Sequence, residues 1–259
     1  MEGFVKKSGL FLTILFVVSV VLVGCATNQT GSASSNSDNP DAKRARAHTE
    51  LGAAYFQQNN MEIALEEFNE AIKVDASYSL AYNGLGLVYA ALGQVAEADA
   101  NFKKSIQLEP SNSESHNNYG SFLCGRQRYD ESITQFLEAV KNPLYSTPTV
   151  AFTNAGICSL RKNDIKSAEI YLQRALQLDP LNHTAALSLA QIQFNRGDVQ
   201  GANNALQNAL IVAQSPDVLW LGIKIARKLG DKDAESSYAL ALRKQYPNSE
   251  QTKLLLNGQ

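Results

Sequence analysis

The sequence predicts an all-α chain: a curved stack of about six helix hairpins closed by a short C-terminal helix. Three observations predict it. A pattern of small and apolar residues returns about every 34 positions from Arg46 almost to the end. Each copy places a small residue, most often glycine, where two paired helices should cross. Pro110, Pro180 and Pro247 fall where the second helix of a hairpin should stop, because proline lacks an N–H and fixes its own φ.

The hairpins follow in order. The first, over 45–78, carries Leu51-Gly52, Tyr55, Ala64, Phe68 and Ala71. The second, over 79–112, carries Leu85-Gly86, Tyr89, Ala98, Phe102 and Pro110. Apart from Pro110, each of these lies about 34 positions after its counterpart, the period of a tetratricopeptide (TPR) array. The third, over 113–148, reads Tyr119-Gly120, Leu123, Ser132, Phe136 and Ala139. The fourth, over 149–182, reads Ala155-Gly156, Ser159, Ala168, Leu172, Ala175 and Pro180. The fifth, over 183–214, is weaker: Leu189-Ala190, Ala202, Leu206 and Ala209. The sixth, over 215–248, reads Leu221-Gly222, Ile225, Ala234, Tyr238 and Ala241. A segment over 248–256 is expected to cap the exposed core face of the last repeat. The expected form is a right-handed TPR superhelix occupying 43–259.

Packing explains the residue types. A glycine inside a helix costs about 1 kcal/mol relative to alanine, so close packing must compensate at Gly52, Gly86, Gly120, Gly156 and Gly222. Turns between paired helices are expected at Gln58-Asn59-Asn60, Leu92-Gly93, Asn163-Asp164, Arg196-Gly197-Asp198 and Gly230-Asp231. The spacing slips by about two residues around Asn142-Pro143-Leu144-Tyr145-Ser146-Thr147-Pro148, which argues for a longer, stiffer connection there. The sixth unit has its turn one residue late.

The front of the chain does not belong to the repeats. Lys6-Lys7 precede an apolar run from Leu10 to Val23, too short for a comfortable membrane span. Leu22-Val23-Gly24-Cys25 follows, and the arrangement reads as a signal peptide over 1–24 whose ending looks like a bacterial lipobox. In lipoproteins of that kind Cys25 becomes the first residue and carries the acyl chains; the alternative is an uncleaved anchor with Cys25 as a bystander. Each buried CH₂ contributes roughly 0.8 kcal/mol, so several chains on one cysteine hold the protein to the bilayer. Ala26 rather than Asp follows, which by likeness to sorted Gram-negative lipoproteins favours the outer membrane, facing the periplasm. Residues 25–42 are expected to form a flexible tether, since Thr27 to Asn39 has almost no apolar residue.

Composition narrows the function classes. A formal net charge of −2 gives no field suited to nucleic acid. His48, His116 and His183 are scattered, each expected near the start of the first helix of a different repeat, and no His/Cys or His/Asp/Glu spacing suggests a metal. There is no phosphate loop and no nucleophile elbow. Acidic pairs such as Glu66-Glu67 read as outer helix faces. The sequence therefore offers no catalytic residue, no metal, no cofactor and no small-molecule substrate, and an enzyme is not expected. Of three cysteines, Cys124 and Cys158 remain once Cys25 is acylated. Both fall on first helices of successive repeats, so a bridge is feasible if their Cα atoms come within about 7 Å; the alternative is two small side chains filling the interface.

TPR arrays bind other chains along the first helices, which line the concave face. Counting from each repeat start, the expected groove carries Thr49, Ala53 and Phe56, then Asn83, Leu87 and Ala90, then Asn117, Ser121 and Cys124. It continues with Thr153, Ile157 and Leu160, then Leu187, Gln191 and Phe194. TPR domains that grip an acidic C-terminus use a ring of Lys and Arg around an Asn, and that ring is absent. The lining suits an amphipathic helix or an extended apolar segment, with Asn83, Asn117 and Gln191 bonding its backbone.

Some stretches are more specific than the repeat consensus: Asn117-Asn118-Tyr119-Gly120-Ser121-Phe122-Leu123-Cys124, Arg128-Tyr129-Asp130-Glu131, Asn142-Pro143-Leu144-Tyr145 and Asn154-Ala155-Gly156-Ile157-Cys158. With the lipobox and tether, they resemble the PilF/PilW family of type IV pilus biogenesis and stability lipoproteins over nearly the whole chain. The resemblance implies a pilotin-like role: a protein-binding lipoprotein at the outer membrane that helps the type IV pilus secretin localise or form its multimer. Fibre stability and twitching motility would depend on it indirectly. It also implies a bridged Cys124 and Cys158, as in one subset of the family. The alternative is a generic periplasmic TPR scaffold serving another cell-envelope machine.

Overall fold

The computed structural model describes residues 39–258. The expected signal peptide, Cys25 and the tether up to residue 38 lie outside the described residues. Six hairpins follow one another. They are α1 (Pro40–Gln57) with α2 (Met61–Val74), α3 (Ser79–Ala91) with α4 (Val95–Leu108), and α5 (Ser113–Gly125) with α6 (Tyr129–Ala139). Then come α7 (Pro148–Arg161) with α8 (Ile165–Leu178), α9 (His183–Arg196) with α10 (Val199–Val212), and α11 (Pro216–Leu229) with α12 (Lys232–Gln245). A short α13 (Glu250–Leu256) closes the stack. The odd-numbered helices through α11 are called A and the even-numbered ones B.

The helical domain starts at Pro40, three residues before the expected boundary of 43. Asn39 caps it, its side chain accepting from the Asp41 N–H at 3.0 Å, and Pro40 fits the first turn because its missing N–H has no helical partner there. The longer helix also corrects the expectation for His48, which sits in mid-helix. Its ring nitrogen meets the Glu67 carboxylate of α2 at 2.7 Å. Glu67 therefore faces α1 and not the outer surface assigned to the Glu66-Glu67 pair, its side chain keeping only 18% of its exposure.

Every hairpin except the fifth, where Ala190 stands at the crossing, is locked by one contact between a glycine of A and a large side chain of B. A β-carbon added at Gly86 would lie 2.7 Å from the Phe102 ring, and one at Gly120 would lie 2.8 Å from Phe136. Gly156 stands in the same way against Leu172, and Gly222 against Tyr238. The aromatic or leucine side chain of B thus lies flat on the bare backbone of A, and Phe102 and Phe136 are almost fully buried. Burying such a side chain contributes about 1.5–3 kcal/mol, which exceeds the glycine penalty. The same ring also joins neighbours, since Phe68 packs against both Gly52 of its own hairpin and Gly84 of the next. In the third repeat Ser132 replaces the alanine of helix B. Its hydroxyl donates to the Gly120 carbonyl at 2.7 Å, so the buried polar group is satisfied.

The turns repeat as well. Each A–B turn holds one residue in the left-handed region: Asn59, Gly93, Gln127, Asn163, Gly197 and Gly230. Glycine and asparagine are the residues that tolerate this conformation. Gln127 is the exception, and it marks the third turn, which the sequence does not signal. The connection from α6 to α7 covers 140–147 and is longer than its counterparts, as the double proline predicts. Cys124 and Cys158 form a disulfide across α5 and α7 with a Cα–Cα distance of 5.9 Å.

The second and third repeats are also joined by charge. Asp99 on α4 accepts from the Tyr119 hydroxyl at 2.9 Å, from Arg128 at 2.6 Å and from Lys103 at 2.5 Å. Burial pushes the Asp99 carboxyl up, but those three donors outweigh it and hold it below its usual range. Burial, then the bond to Asp99, pushes the Tyr119 phenol up to about 12.

Candidate functional site: a trough along the A helices

The backbone of each A helix packs against that of the next A helix, whereas no two successive B-helix backbones come as close among the described residues. The A row is therefore the tighter, inner side of the curve, and α13 takes the next place in that row by packing on both α11 and α12. Along the inner side lie two clefts with apolar walls, separated by a more polar middle.

The N-terminal cleft, of about 420 Å³, is formed by α1 and α3 with Glu114 of α5. It gathers Thr49, Ala53, Phe56, Asn83 and Leu87 from the expected groove, together with Leu80 and the ring of Phe68. The only ion pair on its wall joins Arg46 to Glu50 at 2.7 Å, among the described residues. In the middle, Ser121, Cys124 and Ile157 share a small recess with Arg161, while Asn117 borders a polar hollow with Asn118 and Tyr145. The C-terminal cleft, of about 600 Å³, takes Leu160 from α7, Leu187, Gln191 and Asn195 from α9, and Trp220 and Lys224 from α11.

Not every expected residue is free to meet a partner. Asn83 accepts from the Asn118 amide at 3.4 Å, and Asn117 accepts from the Asn154 amide at 3.1 Å. These form an amide ladder between successive A helices, with Asn83 4% and Asn117 9% exposed. Thr153 is buried and donates to the Thr149 carbonyl of its own helix. Ala90 packs in the cluster around Phe102, and Phe194 lies beneath Lys224, whose Nζ is 5.5 Å from the ring centre. The Ser121 hydroxyl donates to Asn117 O, and the Gln191 amide donates to Asn195.

Trp220 and Lys224 were missed in the sequence for a physical reason. In the sixth repeat, the positions equivalent to Asn83 and Leu87 are Leu219 and Ile223, and both are buried with Leu255 of the cap packed against their cluster. The face of α11 left on the trough is one residue further round. The late turn of this repeat was the available signal for that shift.

Family models described as TPR repeat and tetratricopeptide repeat match residues 52–93, 79–112 and 159–218. The type IV pilus assembly protein PilF of Pseudomonas aeruginosa is 29% identical over 237 residues, covering 91% of this chain and 94% of PilF. Its solved structure, from a functional characterisation of that protein, superposes with a TM-score of 0.77 at 27% identity, covering 85% of this chain and 99% of that one. The crystal structure of PilW, a widely conserved type IV pilus biogenesis factor, gives a TM-score of 0.71 at 31% identity, covering 82% of this chain and 98% of that one. No helix among the described residues is long and apolar enough to cross a membrane. Identity of 31% to PilW over 98% of its length, with PilF matched over 94% of its own, makes this chain a member of the PilF/PilW family of TPR proteins.

Proposed function

We propose that the chain is an outer-membrane lipoprotein required for type IV pilus biogenesis, acting as a non-enzymatic pilotin for the pilus secretin. The observation that carries the reading is the match to PilF and PilW along nearly their whole lengths. Two features fit the task. The Leu22-Val23-Gly24-Cys25 sequence supplies an anchor that fixes the destination. The trough supplies an apolar surface for a polypeptide, with Phe56, Leu80 and Leu87 lining its N-terminal cleft and Asn83 beside them. A β-rich subunit awaiting assembly exposes apolar edges, and an apolar trough can shield them.

The test is an outer-membrane fractionation of wild-type and deletion strains, probed for heat-resistant secretin multimers. Loss of the multimer with monomer retained is the expected result. Unchanged multimers together with normal piliation defeat the proposal.

A further inference from the structure

The C-terminal cleft differs from the N-terminal one in holding a cation with no counter-ion. Lys224 is half-buried on α11, and among the described residues its one recorded contact of charge is with the Phe194 ring. Burial alone pushes its ammonium below the usual lysine value. Of the other charges on the cleft wall, Arg196 pairs with Glu169 at 2.9 Å and Asp198 at 3.6 Å, while Asp217, seven residues before Lys224 on α11, accepts from the neutral Gln251 amide at 2.7 Å and keeps its charge. A partly desolvated ammonium attracts an incoming anion more strongly than an exposed one does. Beside it, Trp220, Leu187, Ile192 and Leu160 offer apolar surface, and the amides of Gln191 and Asn195 lie on the same wall. The lining comes from three successive A helices, so its long direction follows the trough and suits a chain passing through.

We propose that this cleft is a second docking site, for an internal polypeptide segment in which apolar side chains flank an Asp or Glu. The apolar groups pack on Trp220 and Leu187, the carboxylate pairs with Lys224, and the Gln191 carbonyl and Asn195 N–H groups, which the bond between these two side chains leaves open, meet the passing main chain. The proposal rests on the pilotin reading only in taking the partner to be a polypeptide. The chain's own stretch from Thr27 to Asn39 is polar and lacks such a segment.

Trp220 is the only tryptophan of the chain, so its emission reports on this cleft directly. The probes are a short capped peptide with the core Leu-Phe-Glu-Leu-Val and its counterpart with Gln for Glu, added to the full chain in phosphatidylethanolamine vesicles. The Glu peptide should change Trp220 emission saturably and bind at least about tenfold more tightly than the Gln peptide. Lys224→Met should abolish that difference while helicity and melting temperature hold, Lys224→Arg should restore it, and Phe56→Asp should leave it intact. Equal binding of the two peptides by the parent chain overturns the proposal, as does the absence of any saturable change. Discrimination surviving in Lys224→Met overturns it too. So does a Lys224-dependent dimer seen by sedimentation without peptide, which assigns the cleft to a second copy. Intact secretin multimers in the deletion strain would defeat the pilotin reading and leave this peptide selectivity standing.

Discussion

Gln127 holds φ at 62°, in a turn position that the other repeats fill with glycine or asparagine. A left-handed backbone costs an ordinary residue about 1–2 kcal/mol. Gln127→Gly should therefore stabilise the chain by about 1 kcal/mol, read as a higher urea midpoint with an unchanged slope. Gly84 argues the other way. Alanine would gain about 1 kcal/mol of helix propensity, but its β-carbon would overlap the Phe68 ring, which is 2% exposed and has little room to retreat. Overpacking costs about 1–3 kcal/mol, so Gly84→Ala should destabilise on balance and lower the same midpoint. Tyr119 gives a pH prediction. Its folded pKa of about 12 stands above the ordinary phenol value of 10.0, so its contribution is complete below pH 10 and is lost as pH rises through 12. Tyr119→Phe should remove that alkaline loss from the stability profile. The glycine–aromatic pairs were legible in the sequence because they recur in register. The partners of Asn83, Glu67 and Asp99 were not, because periodicity gives a residue's place in its own repeat and says nothing of who faces it from the next.

At the scale of helices, prolines and side-chain caps account for part of the boundaries, while α2, α3, α4, α6 and α7 begin without a side-chain cap. Prolines closed α4, α8 and α12, and Asn112, Asp164, Asn182, Asp198, Ser215, Asp231 and Ser249 cap their helices with side-chain oxygens. The turn after α5 escaped because it has no glycine or asparagine to announce it. Leu51 shows where a repeat consensus misleads: its counterparts Leu85, Tyr119 and Leu221 are buried, yet it is 43% exposed, since it belongs to the first hairpin among the described residues. The disulfide ties α5 to α7 beside the longest connection of the array. Closing a loop of that size is worth about 2–4 kcal/mol. Reduction, or the double change Cys124→Ser with Cys158→Ser, should lower the urea midpoint by a matching amount, while thiol titration of the unreduced chain should find neither cysteine free.

For the whole molecule, a row of A helices with closely packed backbones and a B row whose backbones stand further apart make a trough whose two ends carry different chemistry. Phe56→Asp or Leu87→Asp places a charge on the N-terminal cleft and should weaken secretin capture by tenfold or more in a pulldown, with only a modest fall in melting temperature because both side chains are part-exposed. A collapse of helicity equal to the loss of binding would make them core residues. Cys25→Ser should release the protein from membranes on fractionation; persistent membrane association would favour an uncleaved leader. Sequence period named Thr49, Ala53, Phe56, Asn83 and Leu87, five of the twelve residues that line the N-terminal cleft. The C-terminal wall depended on how α13 covers Leu219 and Ile223, a tertiary fact with no period behind it.

The bridge between Cys124 and Cys158 also bears on how the array answers mechanical load. A solenoid pulled by its ends pays out chain hairpin by hairpin, since each repeat is held only by its neighbours. The cross-link removes 34 residues of sequence from that extension, about 11 nm of contour. In an optical trap the oxidised chain should therefore stretch to a shorter full length than the reduced one. A thiol reagent added between two pulls would release the missing length in a single step.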